Sequence, residues 1–271
     1  MPAAMLPPAP SLLALIDVAI TESRFDSANN LITRARPQFD GGQLQLRTAE
    51  LAMASGDVPG AATAFSALVA DPDVAALALQ GLGIARLRQS DLAAAKTALD
   101  AALVQDPGLA RAWNARGVIA DRQREWDRAD AAYARAIAIA PDSAIAYTNR
   151  GYSLLLRGRH ADAERDLARA VALDPALSTA RTNLRFARAM QGHYTEAFDG
   201  STRKELAADL NTVGFAAMTR GDTITAETYF NRALAINKHF DRTAWNNLMY
   251  LKQQSDAEPD PDAMAARETE R

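Results

Sequence analysis

Residues 110–141 read ARAWNARGVIADRQREWDRADAAYARAIAIAP, and the landmarks of this stretch recur along the chain at a spacing near 34 residues. With Ala110 as place 1, Trp113, Gly117, Trp126, Ala129, Tyr133, Ala136 and Pro141 hold places 4, 8, 17, 20, 24, 27 and 32. Self-similarity at such a period marks a stack of units, each burying its apolar face only against its neighbours. The fold therefore reduces to one unit and the way it repeats.

Within the unit, small or apolar residues at places 4, 8 and 11, and then at 17, 20, 24 and 27, make two amphipathic helices with a turn between them. Gly117, Ala129 and Ala136 let helix axes approach, and Trp113, Trp126 and Tyr133 are expected to fill the gaps between neighbouring units. Pro141 removes a backbone donor and ends the second helix. This pattern resembles the tetratricopeptide repeat. The resemblance implies an all-α, right-handed superhelical solenoid of helix-turn-helix repeats that binds a protein or peptide partner in a concave groove.

Residues 1–10 carry four prolines and are expected to form a flexible lead-in. Residues 11–254 read as about seven repeats and a capping helix. Phe25, Ala28, Ile32 and Ala35 take places 17, 20, 24 and 27 of the first repeat, and residues 42–75, 76–109 and 144–177 form the second, third and fifth. The sixth has a regular first helix, but Asp199-Gly200-Ser201 interrupts its second, and about 29 residues separate its start from that of the seventh, near Ala207. A last helix over residues 242–253 is expected to cap the stack. Residues 255–271, with six acidic residues and two prolines, read as an acidic disordered tail.

The net charge of −3 offers no basic field for nucleic acid or anionic lipid, so neither is an expected partner. The absence of cysteine excludes disulfides, thiolate chemistry and a lipidated cysteine. Residues 11–20, SLLALIDVAI, are too short to span a membrane, contain Asp17 and follow no Lys or Arg. They read as a first helix rather than a signal peptide, which points to a cytoplasmic protein that reaches membranes only through partners. Arginine outnumbers lysine 26 to 4, which together with the abundant alanine suggests a GC-rich bacterial genome.

No catalytic constellation stands out. His160, His193 and His239 are far apart and lack partners at metal-ligand spacing, and no Walker loop, HExxH or GxSxG occurs. Gly81-Leu82-Gly83 lies inside a helical stripe with no strand before it. The acid pairs Asp162/Glu164 and Asp127/Asp130 are expected on outer helix faces. The reading is a non-enzymatic protein without metal or cofactor.

In proteins with this resemblance, the groove is lined by places 2, 5, 6, 9, 12 and 13 of the first helices. In the third and fourth repeats these places include Gln80, Arg88, Arg111, Asn114, Asp121 and Arg122, a mostly basic polar patch. From the fifth repeat onward they turn apolar. Tyr152, Phe186, Phe215 and Met249 all hold place 9, joined by Leu155, Leu156, Met190 and Met218, with Asn149, Asn183, Thr212 and Asn246 at place 6. Apolar side chains with interleaved amides suit a bound segment, and the other reading is packing between adjacent first helices.

The two-lysine carboxylate clamp of chaperone-binding relatives is unmatched, since Gln80, Asn114 and Thr148 hold place 5 and Ile84, Val118 and Tyr152 hold place 9. Residues 180–198 and 210–234 resemble the repeat proteins of tight-adherence (Flp) pilus assembly. That resemblance implies an adaptor in assembly of a multiprotein complex. The alternative is a cytoplasmic peptide-binding regulator or co-chaperone.

Overall fold

The computed structural model describes residues 11–39, 41–237 and 241–257. The expected lead-in, His239 and the tail beyond Ala257 lie outside these residues. Among the described residues there are fourteen α-helices and no strand. They alternate as first and second helices of hairpins: α1 (Leu12–Thr21) with α2 (Phe25–Ala35), α3 (Gly42–Ser55) with α4 (Val58–Leu68), α5 (Ala75–Arg88) with α6 (Leu92–Gln105), and α7 (Ala110–Arg122) with α8 (Trp126–Ile139). These belong to a compact unit ending at Asp142. A second unit, beginning at Ser143, holds α9 (Ala144–Leu156), α10 (His160–Leu173), α11 (Ser178–Ala189), α12 (Leu206–Thr219), α13 (Thr223–Ile236) and α14 (Arg242–Ala257). The last helix runs four residues past the expected Gln253.

Each second helix packs on its own first helix and, within a unit, on the next one, while successive first helices also touch: α1, α3, α5 and α7 in the first unit, and α9 with α11, α11 with α12, and α12 with α14 in the second. First helices therefore share one face of each unit. Turn geometry fixes the register independently of the side chains. Place 15 of every repeat, Ser23, Gly56, Ser90, Arg124, Gly158, Gly192 and Gly221, has positive φ, between 56° and 96°. Four of the seven are glycine, which carries no Cβ penalty there. Second helices then open on capping carboxylates where the sequence supplies them, as when Asp57, Asp91 and Asp222 accept from the backbone N–H three residues on.

Place 8 sets the distance between paired helices. A Cβ added at Gly117 would lie 2.5 Å from the Tyr133 ring, so only glycine lets α8 come this close to α7. Tyr133 is 1% exposed and donates its hydroxyl to Asp121 Oδ2 at 2.7 Å. Gly81 stands likewise against Phe65 and Gly83 against Leu99, so this Gly-Leu-Gly run serves helix packing. The expectation for Trp113 and Trp126 needs correcting, because both are only half-buried. Trp113 donates Nε1–H to the Pro107 carbonyl at the end of the preceding repeat at 3.0 Å and carries the Arg135 guanidinium of its own repeat over its ring at 5.8 Å, so it braces the junction from outside the core.

The sixth repeat is built differently. In place of a second helix there is a single 3-10 turn, Glu196–Phe198. Phe198 and Tyr194 occupy part of the vacated space against Tyr229 of α13, with ring centroids 5.5 and 6.2 Å away. Place 8 is Arg185 instead of glycine, and place 3 of the next repeat is Asp209 where the four preceding repeats have alanine. The two side chains are about 5% exposed and pair at 2.9 Å. Arg185 also donates to the Ala197 carbonyl and Ser201 Oγ, tying the irregular segment to α11. Arg181 pairs with Glu205 at 2.5 Å, and Arg188 with Glu164 and Asp199. Three arginines spaced along α11 thus hold the loop that replaces a helix.

Candidate functional site

The shared face of first helices is the surface on which the predicted groove residues fall, and its chemistry differs between the two units. In the first unit its charges are engaged internally. Arg47 pairs with Asp17 at 2.8 Å, and Arg111 on α7 reaches past α5 to Glu50 on α3 at 3.2 Å. Arg88 donates to the Met53 carbonyl and Arg122 to the Leu87 carbonyl, at 3.2 and 3.4 Å. Each of these arginines thereby caps the C-terminal end of the preceding first helix, where carbonyls lack helical partners and the dipole favours a cation.

The expected basic patch is thus largely a set of braces. Gln80, placed in it from the sequence, is buried at 4% exposure. Asn114 is half-buried on α7. Asp162 pairs with Arg159 and Arg165, which hold its carboxyl below the usual range, the Arg159 hydrogen bond contributing most. Glu164, expected on an outer face, faces α11 through Arg188 and Gln191. Among the described residues no group of three or more His, Asp and Glu is placed to hold a metal ion. No helix among them is long and apolar enough to cross a membrane.

In the second unit the corresponding places of α9, α11 and α12 hold no Asp, Glu, Lys or Arg. Tyr152 and Leu156 on α9 and Phe215 on α12 are 49, 52 and 43% exposed. Phe186 on α11 stacks on Phe215 with centroids 6.2 Å apart and planes inclined by 29°. Phe186 and Met190 also pack on the core between α11 and α12, as do Met218 and Met249 on the core shared by α12, α13 and α14. Tyr152, Leu156 and Phe215 stand open, while Phe186, Met190, Met218 and Met249 are half-buried.

Asn149 and Asn183 are half-buried and Asn246 is exposed. Thr212 donates back to the Ala208 carbonyl. Sequence reasoning missed Ile145 and Trp245, 60 and 42% exposed, although their places 2 and 5 are among those lining the face. It also missed Asn211, which accepts from Asn247 at 3.0 Å and links α12 to α14. Ten of the thirteen predicted residues lie in the second unit; Arg111, Asn114 and Arg122 lie in the first.

The tetratricopeptide repeat family's sequence model matches residues 13–76, 81–143 and 120–178. The chain belongs to the tetratricopeptide repeat family. The sixth and seventh repeats lie beyond the matched residues and are recognised by the place-15 turns and, in the seventh, by Gly214 against Phe230. No curated protein matches the sequence.

Solved tetratricopeptide structures share the fold. A chain of the APC/C hetero-tetramer Cut9-Hcn1 is 19% identical with a TM-score of 0.61, covering 90% of this chain and 49% of that one, so this chain spans about half its length. Pseudomonas aeruginosa PilF is 21% identical with a TM-score of 0.51, covering 74% of this chain and 99% of PilF. YrrB, described as having an unusual peptide-binding site, is 18% identical with a TM-score of 0.52, covering 68% of this chain and 97% of YrrB.

Proposed function

We propose that this protein is a non-enzymatic adaptor that captures a segment of a protein partner on the first-helix face of its second unit, in assembly of a multiprotein complex of the tight-adherence pilus or secretion type. The observation that carries the reading is the open apolar strip. Tyr152 and Leu156 on α9 and Phe215 on α12 stay exposed on the first-helix face, on either side of α11, whose half-buried Phe186 stacks on Phe215. Contiguous exposed apolar area of this kind marks an interaction site. Asn183 of α11, half-buried, and Asn246 of α14, exposed, supply amide groups for a partner's backbone beside it. The pilus assignment rests on the resemblance of residues 180–198 and 210–234, which form α11, the irregular loop and the α12–α13 hairpin.

The test replaces Tyr152 and Phe215 together by Ser. Partner capture from soluble and membrane fractions of the source cell should be abolished, with helix content unchanged and melting nearly so, because exposed side chains contribute little to the stack. Capture retained by a folded double variant would refute the site. A partner recovered only from the soluble fraction and unconnected with an envelope complex would refute the assembly role.

A further inference from the structure

We infer that the segment captured on the second unit is a proline-rich stretch in the polyproline II conformation, and that Tyr250 is the last of three open aromatic rings that hold it. The inference rests on the reading of that face as the capture surface. Tyr250 on α14 is 54% exposed, beside 49% for Tyr152 and 43% for Phe215. One contact places it on the same face. Asn247 donates Nδ2–H to Asn211 Oδ1 at 3.0 Å, which fixes how α14 lies on α12. Both are first helices and run the same way, so Phe215, four residues after Asn211, and Tyr250, three after Asn247, project from the same side one turn further along.

The spacing of these rings selects a ligand backbone. First helices pack about 8–10 Å apart, so a segment crossing them must return the same side to the surface at about that interval. An α-helix does so about every 5.4 Å and a β-strand about every 6.6–6.8 Å. Polyproline II, with three residues per turn rising about 3.1 Å each, does so about every 9.3 Å. Phe186 on α11 is half-buried and leans on Phe215, with ring centroids 6.2 Å apart, which takes it out of the open row. Tyr152, Phe215 and Tyr250 are therefore separated by two helix steps and then one, and meet ligand residues about six and about three positions apart.

The polar groups point the same way. Among the described residues there is no strand, so no sheet edge is offered to a segment's backbone. Tyr152 and Tyr250 instead present hydroxyls that have no hydrogen-bond partner among the described residues, and Asn246 presents an exposed amide. Proline carries a carbonyl acceptor and no N–H, so a surface of donors and aromatic rings answers both its backbone and its side chain.

The probe is decaproline with acetylated and amidated ends, titrated by calorimetry into the full-length chain beside a Gly-Ser peptide of the same length. Tyr250→Phe, Tyr250→Ser and Tyr152→Ser/Phe215→Ser variants are compared after circular dichroism has matched their helix content. Decaproline should bind and the Gly-Ser peptide should not. Tyr250→Ser should weaken binding about tenfold and Tyr250→Phe about threefold, for the loss of a ring contact and of one hydrogen bond respectively, and the double variant should abolish it. Binding that ignores every variant would place decaproline elsewhere and overturn the inference, and binding that needs Tyr152 and Phe215 but ignores both Tyr250 variants would remove Tyr250 from the site. Failure of decaproline to bind, while capture from cell fractions still requires Tyr152 and Phe215, would overturn the inference and leave capture standing. If capture is also indifferent to those two residues, the capture surface itself is wrong. Self-association of the free chain that Tyr152→Ser/Phe215→Ser abolishes would make a second copy the occupant, and would also overturn it.

Discussion

Asp209→Ala removes one half of the most deeply buried ion pair described in the protein, and its cost follows from what Arg185 would have left. The guanidinium now faces Asp209 Oδ1 at 2.9 Å, the Ala197 carbonyl at 3.0 Å and Ser201 Oγ at 3.1 Å, with both members of the ion pair about 5% exposed. Burial pulls the arginine's pKa below its ordinary value, while Asp209 and then Glu205 oppose that shift and Arg181 and Arg188 reinforce it. Without Asp209 the buried cation keeps two neutral acceptors and no adjacent counter-charge. A broken buried pair costs about 3–5 kcal/mol, and the surviving attraction of Glu205 puts the expected loss near the lower end.

Arg185→Leu should cost a similar amount by stranding the carboxylate. The double variant Arg185→Leu/Asp209→Ala loses only the hydrogen bonds to Ala197 and Ser201, about 1–2 kcal/mol. Urea melts followed by Trp245 fluorescence, in a Trp113→Phe/Trp126→Phe background that leaves no other tryptophan, report on the second unit. The reasoning fails if Asp209→Ala costs under about 1 kcal/mol, or if the two single losses simply add in the double variant.

Trp113→Ala should cost about 1–2 kcal/mol by chemical denaturation, the loss of one hydrogen bond and one cation–π contact, and not the 3–5 kcal/mol of a buried aromatic. Arg124→Gly should stabilise the first unit by about 0.5–1 kcal/mol, because Arg124 occupies the left-handed turn with φ of 58°; an unchanged melt would show that the turn carries no strain. Glu205 has its pKa lowered from 4.5, first by the Thr202 hydrogen bond, then by Arg181 and Arg185 against a desolvation that raises it. Its contribution is therefore fully present above about 4.5 and disappears as pH falls through the lower folded value. Glu205→Gln should make the acid limb of a stability–pH profile shallower, and an unaltered limb would remove Glu205 from the acid response.

The recurrence of alanine at place 20 in all seven repeats, of small residues at places 8 and 27 in five, and of Gly or Ser at place 15 in six made the helical hairpins legible from sequence, because each hairpin is built from contacts less than one repeat apart. Even the defect in the sixth repeat was legible, since Asp199-Gly200-Ser201 cannot continue a helix. The face lined by first helices was also readable as a set of places. Which members of that set stay open was not. Place 9 holds Tyr152 in one helix and Phe186 in the next, yet only contact with a stacked neighbour leaves Phe186 half-buried under Phe215 while Tyr152 stands exposed.

The same limit explains Arg122, which by its place belongs to a groove but by its hydrogen bond caps the helix before it. It explains Arg185 as well, whose partner Asp209 lies on another helix and whose burial depends on a second helix that never forms. Sequence alone determined the repeat, because local periodicity dictates how a chain buries its own apolar stripe. Tertiary structure decided which polar and aromatic side chains remain available, because exposure and charge pairing depend on neighbours that no single repeat contains.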